Sequence, residues 1–99
     1  MGMGHALTER FIVEGGNVIT DRLARYRIPS ISDIPEIVSI VVEHPVSTGP
    51  FGAKGVGEIV SIPTCPAITN ALYNAVGVRV DRLPIDQEMV LMEFRRRTR

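Results

Sequence analysis

Four glycines, Gly49, Gly52, Gly55 and Gly57, fall within nine residues, with Lys54 among them and Glu58 directly after the last. Removing the side chain at so many neighbouring positions has two physical uses. The backbone can take positive φ, or a bulky group can approach the main chain closely. Successive free N–H groups in such a loop can form a concavity that holds an anion, and Lys54 would add a positive charge. Glu58 stands where the chain turns apolar, at Ile59-Val60, so a partly desolvated carboxylate is expected there. Desolvation is one way a carboxylate becomes a useful general base near neutral pH. The pattern is neither a P-loop, for want of Gly-Lys-Ser/Thr, nor the Gly-x-Gly-x-x-Gly dinucleotide fingerprint. Spacing alone therefore leaves two readings open: a functional loop, or a surface loop carrying a solvated glutamate.

The other reactive side chains have plainer expectations. His5 and His44 are 39 positions apart with no ligand-like spacing, and structural roles are expected for both. Cys65 follows Thr64 at a helix start with no evident base beside it, which suits a structural thiol. Asp33 and Glu36 flank Pro35 and suit turn and capping work. Met89 and Met92 have the spacing of core residues.

The elements that must carry this loop follow from periodicity. Met3, Ala6, Leu7 and Phe11 have the spacing of a short amphipathic helix. Phe11-Ile12-Val13, Glu14-Gly15-Gly16-Asn17 and Val18-Ile19-Thr20 read as a hairpin. Residues 21–35 read as irregular, because Pro29 and Pro35 push the residues before them toward extended geometry. Glu36 to Glu43, dense in Val and Ile and apolar on both faces over Ile40–Val42, predicts a central strand. His44-Pro45 ends it, and the glycine loop follows. Thr64 is a candidate cap, with Pro66 in the first turn, for a helix through Ala67, Ile68, Ala71, Leu72, Ala75 and Val76. Gly77 is its expected stop. Val78-Arg79-Val80 alternates like a strand. Asp86 is a candidate cap for a last helix through Met89, Met92 and Phe94. The order is helix, hairpin, central strand, glycine-rich loop, helix, strand, helix, an α+β chain.

The 99 residues suit a single domain, 1–99, with a modest core at 44% hydrophobic content. Eleven basic and eleven acidic residues cancel, so global charge points to neither nucleic acid nor an anionic membrane. The basic run Arg95-Arg96-Arg97 with Arg99 suits a solvated helix end, where the macrodipole favours cations. Cys65 is the single cysteine, which excludes an intrachain disulfide and fits a reducing compartment. No apolar run reaches transmembrane length, and Met1-Gly2-Met3-Gly4 has no signal-peptide pattern, so a cytoplasmic location is expected. The few aromatics and the abrupt first helix suggest apolar faces that await a partner.

Several segments in order carry a family resemblance. They are Met3-Gly4-His5-Ala6-Leu7-Thr8-Glu9, Tyr26-Arg27-Ile28-Pro29, Asp33-Ile34-Pro35-Glu36-Ile37, and Val42-Glu43-His44-Pro45. After these come Thr48-Gly49-Pro50-Phe51-Gly52-Ala53-Lys54-Gly55-Val56-Gly57-Glu58, Pro63-Thr64-Cys65-Pro66-Ala67-Ile68-Thr69-Asn70-Ala71 and Arg82-Leu83-Pro84-Ile85. Together they resemble the C-terminal part of the molybdopterin-binding subunit of the xanthine dehydrogenase and aldehyde oxidase family of molybdenum hydroxylases. The resemblance implies that the loop passes beside the molybdenum cofactor, with the backbone of Ala53, Lys54, Gly55, Val56 and Gly57 in contact with it. It implies that Glu58 is the general base, taking a proton from the oxygen nucleophile as an electron-poor carbon is oxidised. The metal would be held by the pterin dithiolene, so no protein metal ligands are expected. The implied partners are the upstream part of the molybdopterin-binding subunit and iron–sulfur and flavin subunits or domains.

The chain departs from the family pattern in two places. The glutamine-glycine pair that contacts the cofactor near the segment matching Met3-Gly4 has no counterpart here. Ile59 also stands where a proline often follows the glutamate. Most of the implied pocket is not on these 99 residues, so catalysis by this chain alone is not expected. Two functions remain: a component of a molybdenum-cofactor oxidoreductase that supplies the base loop, or an inactive structural or interaction module that folds as an oligomer.

Overall fold

The computed structural model describes residues 1–98. Among these residues it is an α+β chain of four helices and one small hairpin. Helix α1 (Gly2–Leu7) is short and turns Gly2, Gly4 and Ala6 inward. It packs against α3 (Thr64–Val76). The approach is close because Gly2 has no side chain: a Cβ there would stand 2.5 Å from Thr64 Cβ. The Cys65 thiol donates to the Gly2 carbonyl at 3.5 Å, so it has the structural role expected of it.

The hairpin pairs β1 (Val13–Glu14) with β2 (Asn17–Val18), in the antiparallel register Val13 to Val18 and Glu14 to Asn17. Its two-residue turn puts Gly15 at φ 55° and Gly16 at φ 81°. Those values need glycine and match the twist of the flanking strands. Residues 21–35, expected to be irregular, contain a one-turn helix, α2 (Leu23–Tyr26), and a 3-10 turn at Ile31–Asp33. Asp33 Oδ2 accepts from the Ser30 amide at 2.8 Å and from the Ser30 hydroxyl at 2.7 Å. These charge-assisted bonds lower the Asp33 pKa, and the turn role predicted for Asp33 holds.

Helix α3 ends at Gly77 with φ 71°, whose amide donates to the Tyr73 carbonyl at 2.7 Å. Gly77 is thus the left-handed stop its position suggested. Helix α4 (Gln87–Arg97) is capped by Asp86, which accepts from the Glu88 and Met89 amides. Arg95–Arg97 form its last, exposed turn, and Arg99 lies outside the described residues. Arg97 also donates to the Gly77 carbonyl, tying the end of α4 to the end of α3.

Four expectations are corrected. Glu36–Glu43 is not a central strand. It runs extended and unpaired, and among the described residues 35–45 take part in no backbone hydrogen bond. A strand needs a neighbour to satisfy its amides and carbonyls, and the hairpin is the sole sheet among the described residues. Val78-Arg79-Val80 is likewise not a strand. Val78 is instead fully buried, while the Arg79 guanidinium lies 4.1 Å from the centre of the Tyr73 ring, a cation–π contact. Thr64 does not cap α3: its hydroxyl donates back to the Val60 carbonyl at 3.1 Å, and Pro63 holds the cap position. Met92 is exposed rather than in a core.

The core is small: Ala6 and Val78 are fully buried and Ile85 nearly so. Helices α3 and α4 face each other across an apolar cavity of about 380 Å³ lined by Ile68, Leu72, Val76, Val90, Leu91 and Phe94. The radius of gyration is 18.0 Å, against about 13 Å for a compact chain of this length. The accessible surface is 8634 Å², against about 5,600 Å² for a compact monomer of this mass.

Candidate functional site

The glycine loop divides into a closed half and an open half. In the closed half, residues 45–53, the chain folds back on itself. The Val46 amide donates to the Gly52 carbonyl at 3.2 Å, Gly52 to Gly49 at 3.0 Å, and Ala53 to Pro50 at 2.9 Å. A 3-10 turn at Pro50–Gly52 forms the bend. Phe51 sits at φ 54°, a conformation few non-glycine residues adopt, and its ring is fully exposed. Gly52 has φ 78°, and a Cβ there would meet Pro45 Cβ at 2.8 Å. A Cβ on Gly49 would run into the Ala53 carbonyl oxygen. Both glycines are thus required by the loop's own packing.

In the open half, Lys54, Gly55, Val56 and Gly57 are exposed and make no hydrogen bond among the described residues. Neither Gly55 nor Gly57 has positive φ, and a Cβ on either would meet nothing within 4 Å. Nothing among the described residues requires glycine at these two positions. Their backbone N–H groups are open to an external group.

Glu58 begins the turn that leads into α3. Its carbonyl accepts from the Ser61 amide at 3.0 Å and from the Ser61 hydroxyl at 2.7 Å. The Thr64 hydroxyl bonds to Val60, one turn further on. The backbone of Glu58 is therefore held in the turn that precedes α3, while its carboxylate is exposed. The expected desolvation is not supplied by this chain, because Ile59 and Val60 are exposed as well. The structure brings Ala53–Gly57 and Glu58 onto one continuous exposed ribbon, but lays no second wall over it.

A second group was missed by reasoning along the sequence. Glu9 is 7% exposed at its side chain and stands 3.5 Å from His5 Nε2. The Glu9 carboxylate also interacts with the Tyr26 side chain, which raises the Tyr26 pKa, with desolvation and the Glu9 charge adding to it. These residues line a cavity of about 800 Å³ with Met3, Ile28 and Ile37. The lining includes no residue from 53 to 58. The i, i+4 spacing of His5 and Glu9 was the available signal, but the chain's return through Tyr26 was not.

The arrangement defines an α+β chain that presents an exposed glycine ribbon ending in an exposed carboxylate whose backbone is held by the turn before α3. No family model matches the chain. It is 36% identical over 91 residues to a probable xanthine dehydrogenase chain from Bacillus subtilis, a match covering 92% of this chain and 12% of that protein. It is 40% identical over 95 residues to the aldehyde oxidoreductase molybdenum-binding subunit of Escherichia coli, covering 92% and 13% respectively. With the aldehyde oxidoreductase of Megalodesulfovibrio gigas it shares 50% identity over 64 residues, which is 64% of this chain and 7% of that one. The chain belongs to the xanthine dehydrogenase and aldehyde oxidoreductase family of molybdenum-binding subunits. It spans about an eighth of the length of the curated relatives matched across nine-tenths of it.

Proposed function

We propose that this chain, as one domain, is the base-bearing component of a molybdenum hydroxylase acting on an aldehyde or an electron-poor heterocycle. In this reading Glu58 is the general base, and the backbone of Ala53–Gly57 lies against the molybdenum cofactor. The observation that supports it most is the pair Gly55 and Gly57. They are glycines that the chain's own packing does not require, at the place where a large group would need to touch the main chain. The residues present thus fit a cofactor that approaches from outside the chain.

When bound, the cofactor supplies the oxygen nucleophile and takes up the electrons of the oxidation. The chain's own residues do the rest. Glu58 would accept a proton from the oxygen nucleophile, and the Ser61 bonds to its carbonyl hold its backbone in place. The amides of residues 54–57, which make no hydrogen bond among the described residues, would hold the cofactor's polar groups, and Lys54 would add a cation there. Exposed in the free chain, Glu58 gains a dry environment only when a partner closes over it. The partners in this reading are a polypeptide carrying the rest of the molybdopterin-binding subunit, then iron–sulfur and flavin subunits or domains. The compartment is the cytoplasm; no helix among the described residues is long and apolar enough to cross a membrane.

The test is Glu58→Gln in the assembled complex. A general base contributes about 10²–10⁴-fold to rate, so hydroxylation should fall by at least that factor while molybdenum content stays the same. Retained turnover would sink the base assignment. The wide exposed apolar surface favours a second reading, an inactive module that self-associates. It requires a stable oligomer without molybdenum and no effect of Glu58→Gln in any assembly.

A further inference from the structure

We infer that residues Glu36–Glu43 insert as an interior strand into a sheet of the polypeptide that carries the rest of the molybdenum-binding subunit. The inference rests on the proposed function for the identity of that partner, and on this chain for the mode of docking. Ile37, Val38, Ile40, Val41 and Val42 are 70% to 87% exposed. In an extended chain Ile37 and Val41 point to one face, and Val38, Ile40 and Val42 to the other. Both faces are therefore apolar, the pattern of a strand covered on both sides. Both edges are also open, since the segment spends none of its backbone hydrogen-bonding groups on the described residues. Water is a poor final environment for five β-branched side chains so close together.

A second copy of this chain does not satisfy the segment. Two-fold pairing would join one edge and leave the other open, with at most one face covered. A sheet from a larger polypeptide supplies a neighbour on each edge and a layer on each face. The sizes agree with a large partner. The chain exposes about 3,000 Å² more than a compact monomer of its mass, beyond the roughly 1,600 Å² total of a standard interface. The relatives it matches across nine-tenths of its length are about eight times longer.

The segment is also the direct lead into the loop: His44-Pro45 follows it, and Val46 bonds to Gly52. Pinning 36–43 would fix where the glycine ribbon and Glu58 lie against the partner's wall.

The full chain is co-expressed with the Megalodesulfovibrio gigas aldehyde oxidoreductase from which the matching 64-residue segment has been removed. Complex formation is read by size-exclusion chromatography with light scattering, and amide hydrogen exchange is followed at 36–43. The expected result is a one-to-one complex in which exchange at 36–43 slows on the order of 100-fold, while the free chain shows no protection there. Val41→Pro, which removes a ladder donor, should weaken the complex by at least about tenfold and leave the circular dichroism of the free chain unchanged. Absence of a complex, a complex in which 36–43 stays unprotected, or protection arising from self-association without the partner would each overturn the strand. A protected 36–43 in a complex whose turnover survives Glu58→Gln would instead retain the strand and refute the base.

Discussion

The Ile85 amide donates to the Ala6 carbonyl oxygen at 2.7 Å, joining the first helix to the lead-in of the last. Both residues belong to the small core, with Val78. This one bond closes the chain's ends over α3, so the core depends heavily on the side chain at position 85. Ile85→Ala removes three carbons from a site that cannot collapse easily. It should cost about 2–5 kcal/mol, read as a lower urea midpoint with an unchanged slope.

Asp86, the next residue, accepts from the Glu88 and Met89 amides and starts α4. Asp86→Ala leaves those donors without a side-chain partner. The expected loss is about 1 kcal/mol, visible as fraying of α4 in amide exchange at residues 88–90. Asp86→Asn, which keeps an acceptor oxygen, should recover most of it.

Glu93 accepts from Arg96 at 2.8 Å and from Arg97 at 3.0 Å. These bonds lower its pKa from 4.5 to about 2, Arg96 contributing most. A folded-state value below the unfolded one gives stability that is fully present above pH 4.5 and is lost as pH falls toward 2. Thermal midpoints should therefore drop between pH 5 and pH 2. Glu93→Gln should flatten that part of the profile, leaving the smaller decline from Asp33, whose pKa is also lowered.

The two halves of the glycine loop predict opposite outcomes for one kind of substitution. Gly52→Ala forces a Cβ onto Pro45 at positive φ and should destabilise the free chain by about 1–2 kcal/mol. Gly57→Ala meets open space and should be neutral or stabilise by up to about 1 kcal/mol. In the assembled complex Gly57→Ala should lower molybdenum content, measured by metal analysis of the purified protein. Full metal occupancy would remove the argument for close cofactor approach.

The sequence by itself determined the local elements whose causes are local. Glycines at 15 and 16 require the hairpin turn, Gly77 stops a helix, Asp86 starts one, and apolar spacing produces α3. It also determined the family: the ordered segments around the loop that resemble it lie in a chain 36% to 50% identical to members of that family. Tertiary structure alone decided the rest. The apolar stretch Glu36–Glu43 has strand composition, yet a strand exists only where a neighbour accepts its hydrogen bonds, and this chain folds none beside it. Four loop glycines look alike in sequence. Only the folded loop separates Gly49 and Gly52, which its own packing requires, from Gly55 and Gly57, which face open space. Glu58 was expected to be desolvated by its apolar neighbours. Burial is set by what packs over a residue rather than what adjoins it in sequence, and nothing among the described residues covers Glu58.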